Sequence, residues 1–212
     1  AVDNQDNVYV VENGLGLIQK RAAGSTTWTN LKGLPFTPGQ DYPLGVTTDG
    51  TNVFVLNSIQ STSRVVFKYN GDNTWTDITY GFLFRQPEAI AADSLGNVYV
   101  TDSYDNNGHV VKLAAGATSW VDIGNWLTGS FEHVTGITTD KQNNLYVTDY
   151  SSATNPPVGR IMKLASGSNT WENYTASCPP YARLQIPVGI ARDAFGNLYV
   201  ADMERNELHT VP

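Results

Sequence analysis

An aspartate recurs along this chain at Asp3, Asp49, Asp93, Asp140 and Asp193, at intervals of 46, 44, 47 and 53 residues. Each is followed by a few turn-forming residues and then by a short β-prone run. These runs begin at Val8, Val53, Val98, Leu145 and Leu198. A Thr-Trp or Ser-Trp pair closes four of the units, at Trp28, Trp75, Trp120 and Trp171. Registered self-similarity at this period marks a repeat architecture in which one small unit cannot bury its apolar faces alone.

The clearest copy runs from Pro87 to Leu113 and reads as three short strands. Ala89 to Ala92 is an apolar run, Asp93-Ser94-Leu95-Gly96-Asn97 a turn, and Val98-Tyr99-Val100 a second strand. A polar loop from Tyr104 to Gly108 precedes a third strand, Val110 to Leu113, and the Trp marks a fourth. A sheet of this size with two apolar faces must bury both, and radial arrangement of several sheets does so while leaving only short edges. The expected fold is therefore an all-β propeller occupying residues 1–212 as one domain. Its units are approximately 1–42, 43–86, 87–133, 134–186 and 187–212. A β-sandwich would not explain five registered copies.

The fifth unit lacks a Trp-type fourth strand, so its sheet is expected to hold three strands. In a closed propeller the missing outer strand comes from the other terminus, and Ala1 starts too late to supply it. The first unit also lacks the Pro and Gly that precede the Asp elsewhere. Upstream sequence, supplying a closing strand or a sixth blade, is the expectation.

The repeated residues have sufficient local roles. An Asp carboxylate can accept backbone N–H groups across its own turn, and Gly96 or Gly196 can supply a positive φ. Asp3, Asp49, Asp93, Asp140 and Asp193 are thus read as structural. So are Trp28, Trp75, Trp120 and Trp171, as packing residues of the outer strands.

The balance of 20 acidic against 13 basic residues, a formal charge of −7, argues against a phosphate backbone as partner. Charged residues make up 16 %, below the roughly 25 % of an average domain. Thr, Ser and Asn fill the difference, which suits an extracellular or cell-surface location. The single Cys178 forms no disulfide within the chain. No apolar run is long enough to insert this segment into a membrane.

Candidate chemistry centres on carboxylates. Glu12, Asp102, Asp149 and Asp202 are each read as the end of a second strand, with Asn57 at the matching place in the second unit. A ring of such acids at a central channel would suit Ca²⁺ or another divalent cation, while the alternative is that each fixes its own loop. No other cofactor is expected. His109, His133 and His209 are scattered, without a His-x-His pair, and read as surface or packing residues. No catalytic triad and no phosphate-binding Gly loop is present.

Aromatic residues gather in two classes of loop that a propeller opens on one face. Phe36, Phe82, Phe84, Trp126, Phe131 and Tyr181 lie in connections between units. Tyr104, Tyr150 and Met203 lie in or beside loops joining second to third strands. Half of them are expected to be buried plugs. The rest would form an apolar patch for a protein, peptide or cell-envelope glycan.

The pattern Pro187-Val188-Gly189-Ile190-Ala191-Arg192-Asp193 through Asn197-Leu198-Tyr199-Val200-Ala201-Asp202 resembles the NHL-repeat β-propellers. Val110 to Gly116 and Arg160 to Gly167 look similar to the extracellular sensor propeller of mycobacterial receptor serine/threonine kinases. Those sensors are six-bladed, whereas five second strands are present here. Because the repeated residues have sufficient structural roles and the irregular ones are loop aromatics, the expectation is a non-catalytic ligand-binding or scaffold domain, and the resemblance implies that it could serve as a sensor module. The family also includes lyases, and the alternative is a propeller enzyme, either a lyase or a metal-dependent hydrolase such as a lactonase.

Overall fold

The structure, a computed structural model, describes residues 1–32, 41–59, 63–104, 107–125, 131–177 and 184–211. It is an all-β propeller fold of five antiparallel sheets, each built in chain order. The first sheet holds β1 (Val8–Glu12), β2 (Leu17–Arg21) and β3 (Trp28–Asn30), with a single bridge from Val2 to Val8 beside it. The second holds β4 (Asp41–Thr48), β5 (Val53–Ile59), β6 (Ser63–Tyr69) and β7 (Trp75–Asp77). The third holds β8 (Pro87–Ala92), β9 (Val98–Tyr104), β10 (Asn107–Leu113) and β11 (Trp120–Asn125). The fourth holds β12 (His133–Thr139), β13 (Leu145–Ser151), β14 (Val158–Leu164) and β15 (Trp171–Asn173). The fifth has only β16 (Pro187–Arg192), β17 (Leu198–Asp202) and β18 (Glu207–Val211), as its missing Trp signal implied.

The chain divides into two compact units, one mainly of the first two sheets and one mainly of the last two, with the third sheet contributing to both. In the first, Tyr9, Ile18, Leu31, Val53, Val55 and Phe67 form a core cluster. In the second, Tyr146, Ile161, Leu184, Leu198, Val200 and Val211 do so. Middle strands are buried on both faces: β9 is buried from Val98 through Ser103. That is why the second strands read as continuous β-prone runs rather than as alternating ones.

Each inner hairpin is set by its aspartate. Asp140 Oδ1 accepts the backbone N–H groups of Gln142 (2.9 Å) and Asn144 (2.8 Å), while Oδ2 accepts Asn144 Nδ2 (2.7 Å) and the Tyr146 hydroxyl (3.2 Å). Asp193 repeats this with Phe195, Asn197 and Tyr199, and Asp3 with Gln5, Asn7 and Tyr9. The turn needs one left-handed residue, met by Gly96 (φ 84°) and Gly196 (φ 108°) and in other copies by Asp6 (φ 60°) and Asn143 (φ 63°). The turn Asn then accepts a backbone N–H from the next turn along: Asn97 from Ala115, Asn144 from Ser166 and Asn7 from Ala23.

The tryptophans fasten neighbouring sheets. Trp75 Nε1 donates to the Lys32 carbonyl (3.1 Å), Trp120 Nε1 to Ile78 (3.0 Å) and Trp171 Nε1 to Ile123 (2.8 Å). Room for the indole is left by Gly124, where an added Cβ would sit 2.6 Å from Trp171 Nε1 and 2.7 Å from Phe131. Close approach of inner strands is met the same way. A Cβ on Gly136 would lie 2.9 Å from the backbone nitrogen of Ile190.

Two outcomes follow from these contacts. Trp171→Phe removes the donor and strands the Ile123 carbonyl, so stability should fall by about 1–3 kcal/mol, read as a lower urea midpoint. The acid limb should be set by the turn aspartates. At Asp193 the Asn197 side chain, with further backbone and Tyr199 hydrogen bonds, holds the carboxyl down to about 2. At Asp140 burial opposes ionisation, but the bonds from Asn144, Gln142 and Tyr146 together outweigh it and lower the pKa. A depressed folded value contributes stability present above the ordinary carboxylate range and lost as pH falls through the folded value. The melting temperature should therefore fall steeply between about pH 4 and pH 2. Asp193→Asn should lower it at neutral pH and flatten that slope.

Candidate functional site

Three of the four acids proposed for a ring lie in the second compact unit and are buried: Asp102, Asp149 and Asp202. Glu12, at the end of β1, is exposed. Asn57, their counterpart in β5, is fully buried and has neither side-chain polar atom hydrogen-bonded. Asp102 and Asp149 do not end their strands. The β13–β14 ladder continues past Asp149↔Arg160 to Ser151↔Val158, because the backbone pairing persists through the polar residues that suggested a loop.

The two best-defined acids do the same local work. Asp149 Oδ1 accepts the Glu132 N–H (2.9 Å) and Asp202 accepts those of Gln185 (2.7 Å) and Ile186 (3.2 Å). Each thereby anchors the end of the incoming connection against its own sheet. Asp149 Oδ2 also receives Arg160 through Nε (2.8 Å) and NH2 (2.7 Å), a fork pairing across the β13–β14 register. Burial pushes the Asp149 pKa up, and the Arg160 charge and hydrogen bond oppose it. A cation held at Asp149 or Asp202 would have to displace these bonds. Among the described residues, no three His, Cys, Asp or Glu side chains are grouped to hold a metal ion.

The fifth sheet brings together what the sequence left apart. Asp202 faces Glu207 across the β17–β18 register, and His209 lies two residues further along β18 on the same face as Glu207. His209 Nε2 is 3.9 Å from Asp202 Oδ2 and 3.5 Å from Glu207 Oε2, with its side chain 13 % exposed. That nitrogen is buried and has no hydrogen-bond partner. Arg205 Nε pairs with the same Glu207 oxygen at 3.2 Å. The other histidines are engaged: His109 Nδ1 with Asp122 (2.8 Å), and His133 stacked on Tyr150 (4.5 Å, 11°) with Nε2 near Ser152 Oγ (3.3 Å). Sequence alone showed Asp202, Glu207 and His209 only as neighbours in number; the hairpin register unites them. Arg160 was likewise missed, since nothing but register pairs it with Asp149.

The aromatic residues divide. Phe84 and Phe131 are buried and pack edge-on against Trp120 (5.1 Å) and Trp171 (4.8 Å). Phe82 joins Phe84 at 4.9 Å and is half-buried. Tyr150 is half-buried, and Tyr104 and Met203 are exposed. Phe36, Trp126 and Tyr181 lie outside the described residues.

Residues 84–113 match the NHL repeat family. No curated protein matches the sequence. Among solved structures the fold is similar to a gluconolactonase from Xanthomonas campestris, with 13 % identity, 98 % of this chain and 72 % of that chain covered, and a TM-score of 0.67. It is similar to virginiamycin B lyase from Staphylococcus aureus, seen as a catalytically inactive histidine-to-alanine variant with quinupristin (15 % identity, 100 % and 68 % covered, TM-score 0.63). It is also similar to TolB from Acinetobacter baumannii (10 % identity, TM-score 0.62), where it covers 96 % of this chain and 52 % of that one. The chain thus spans about half the length of TolB. None of these three is a receptor-kinase sensor.

The preference for a non-catalytic domain is corrected by these matches. It rested on every repeated residue having a structural role, yet enzymes, a lactonase and a lyase among them, share this arrangement of sheets. A structural role for the repeat leaves the irregular residues free for chemistry. Among the described residues no helix is long and apolar enough to cross a membrane.

Arg160→Met should cost about 3 kcal/mol at neutral pH, because it leaves the buried Asp149 carboxylate uncompensated. Its folded pKa would then stand above the unfolded one, so the deficit should shrink as the pH is lowered and Asp149 takes up a proton. Urea denaturation at several pH values measures this. A deficit that is the same at every pH would show that Asp149 is not charged in the folded protein.

Proposed function

We propose that the chain is a propeller enzyme that opens cyclic esters, with His209 as the general base. The observation that carries this is His209 Nε2, buried and without a hydrogen bond between Asp202 and Glu207. That nitrogen makes no hydrogen bond that would have to be broken before it accepts one from an attacking water. Likeness to a gluconolactonase, and to a lyase that is inactive as a histidine-to-alanine variant, supports this reading. Fold alone would not, since one fold hosts many chemistries.

In this reading Nε2 removes a proton from a water attacking the ester carbonyl. The new C–O bond forms, the ring C–O bond breaks, and His209 returns the proton to the departing alkoxide. Arg205 holds Glu207 in place through its 3.2 Å contact.

The test is turnover of a panel of γ- and δ-lactones and cyclic depsipeptides, followed by product mass. At least one substrate should open, and His209→Gln should lower kcat by about 10²- to 10⁴-fold with KM and melting temperature little changed. Absence of turnover across the panel overturns the enzyme reading. Turnover that survives in His209→Gln overturns the assignment of the base.

A further inference from the structure

The second sheet departs from its siblings at its inner turn, and a cavity lies there. In the first and fourth sheets a Tyr hydroxyl closes onto the turn carboxylate, Tyr9 on Asp3 (2.9 Å) and Tyr146 on Asp140 (3.2 Å). A Lys directly across the hairpin lies over the same ring: Lys20 over Tyr9 and Lys163 over Tyr146, each at 5.5 Å. The third sheet has Lys112 over Tyr99, also at 5.5 Å. In the second sheet the turn is one residue shorter and Phe54 occupies the tyrosine's place, with Lys68 across from it. The hydroxyl is gone. Asp49 Oδ2 keeps only Asn52 Nδ2 (2.7 Å), and Lys68 makes no hydrogen bond, ion pair or ring contact among the described residues.

A cavity of about 550 Å³ opens over this spot, within the range of small-molecule sites. Its lining includes Asp49, Phe54, Lys68, Ile78, Tyr80 and Leu95. Gly96 forms part of the wall beside Asp49, and a Cβ there would stand 3.8 Å from Asp49 Oδ2. Tyr80 and Leu95 are 46 % and 62 % exposed, apolar surface at the mouth. The site therefore combines one under-used acceptor, one unpaired cation and apolar walls.

We infer that this cavity binds a small hydroxylated aromatic acid. The hydroxyl donates to Asp49 Oδ2 in place of the tyrosine hydroxyl that the sibling turns possess. The ring lies against Phe54, Ile78 and Leu95, and the carboxylate pairs with Lys68. A cationic ligand would meet Lys68 with like charge, and an apolar one would leave Asp49 and Lys68 desolvated without partners. The site is separate from His209 and does not depend on the enzyme reading.

The experiment is titration of the full chain with 4-hydroxyphenylacetate, followed by amide chemical shifts and calorimetry. Phenylacetate, which lacks the hydroxyl, and tyramine, which replaces the acid by an amine, are the comparisons. Saturable binding of the hydroxylated acid is expected, with shifts at the cavity residues and at least tenfold weaker binding of both comparisons. Lys68→Met, on a half-exposed side chain, should weaken the acid at least tenfold while leaving the melting temperature unchanged. Phe54→Tyr rebuilds the sibling arrangement, and should raise the melting temperature and block binding. Absence of saturable binding, equal binding of tyramine, or binding that Lys68→Met leaves unaltered overturns the inference.

Discussion

A single carboxylate inside a turn is what the rest of this structure depends on. Backbone N–H groups at a tight reversal point inward with no strand to receive them, and an unpaired one costs stability. One Asp oxygen takes two of them, at positions two and four residues on, and the other oxygen takes the Asn and Tyr side chains. That fixes the register of the inner hairpin. Register then decides which residues face each other further along, since a one-residue slip would reverse the face of every side chain. The pairing of Asp149 with Arg160 and the grouping of Asp202, Glu207 and His209 show the same dependence in the neighbouring β13–β14 and β17–β18 ladders, whose own registers bring those residues together.

The same arrangement explains why function is to be sought where the repeat breaks. Where all the parts are present, both oxygens of the turn carboxylate are taken up by the turn's own backbone, Asn and Tyr groups. At Phe54 one of those groups, the tyrosine hydroxyl, is lacking, and at His209 Nε2 a buried polar atom has no hydrogen bond. Buried polar groups without partners are uncommon in folded proteins, so each is informative.

Much of the fold was legible in the amino-acid order, because the turn chemistry is local. The Asp, Gly and Asn spacing marked each hairpin, and Trp28, Trp75, Trp120 and Trp171 each marked the start of an outer strand. Legibility ended where contact requires two elements. Sequence implies that some loop aromatics are buried plugs but not which; the rings of Trp120 and Trp171 pack against Phe84 and Phe131, which are buried. Tyr104 and Asp102 look like loop residues because they are polar, yet strand pairing extends through them. Arg160 carries no local sign of its partner. A histidine two places from a glutamate is common; only the β17–β18 pairing adds Asp202 to the pair.

The indole hydrogen bonds have a consequence for synthesis. Each joins residues 42 to 48 positions apart, always with the tryptophan on the later side. A sheet is therefore fastened by a residue translated some forty positions after it. During synthesis the newest sheet always waits, its outer carbonyl facing water, for the next to emerge. A chain cut short between two sheets would therefore lack the indole fastening of its last sheet while keeping those of the earlier ones.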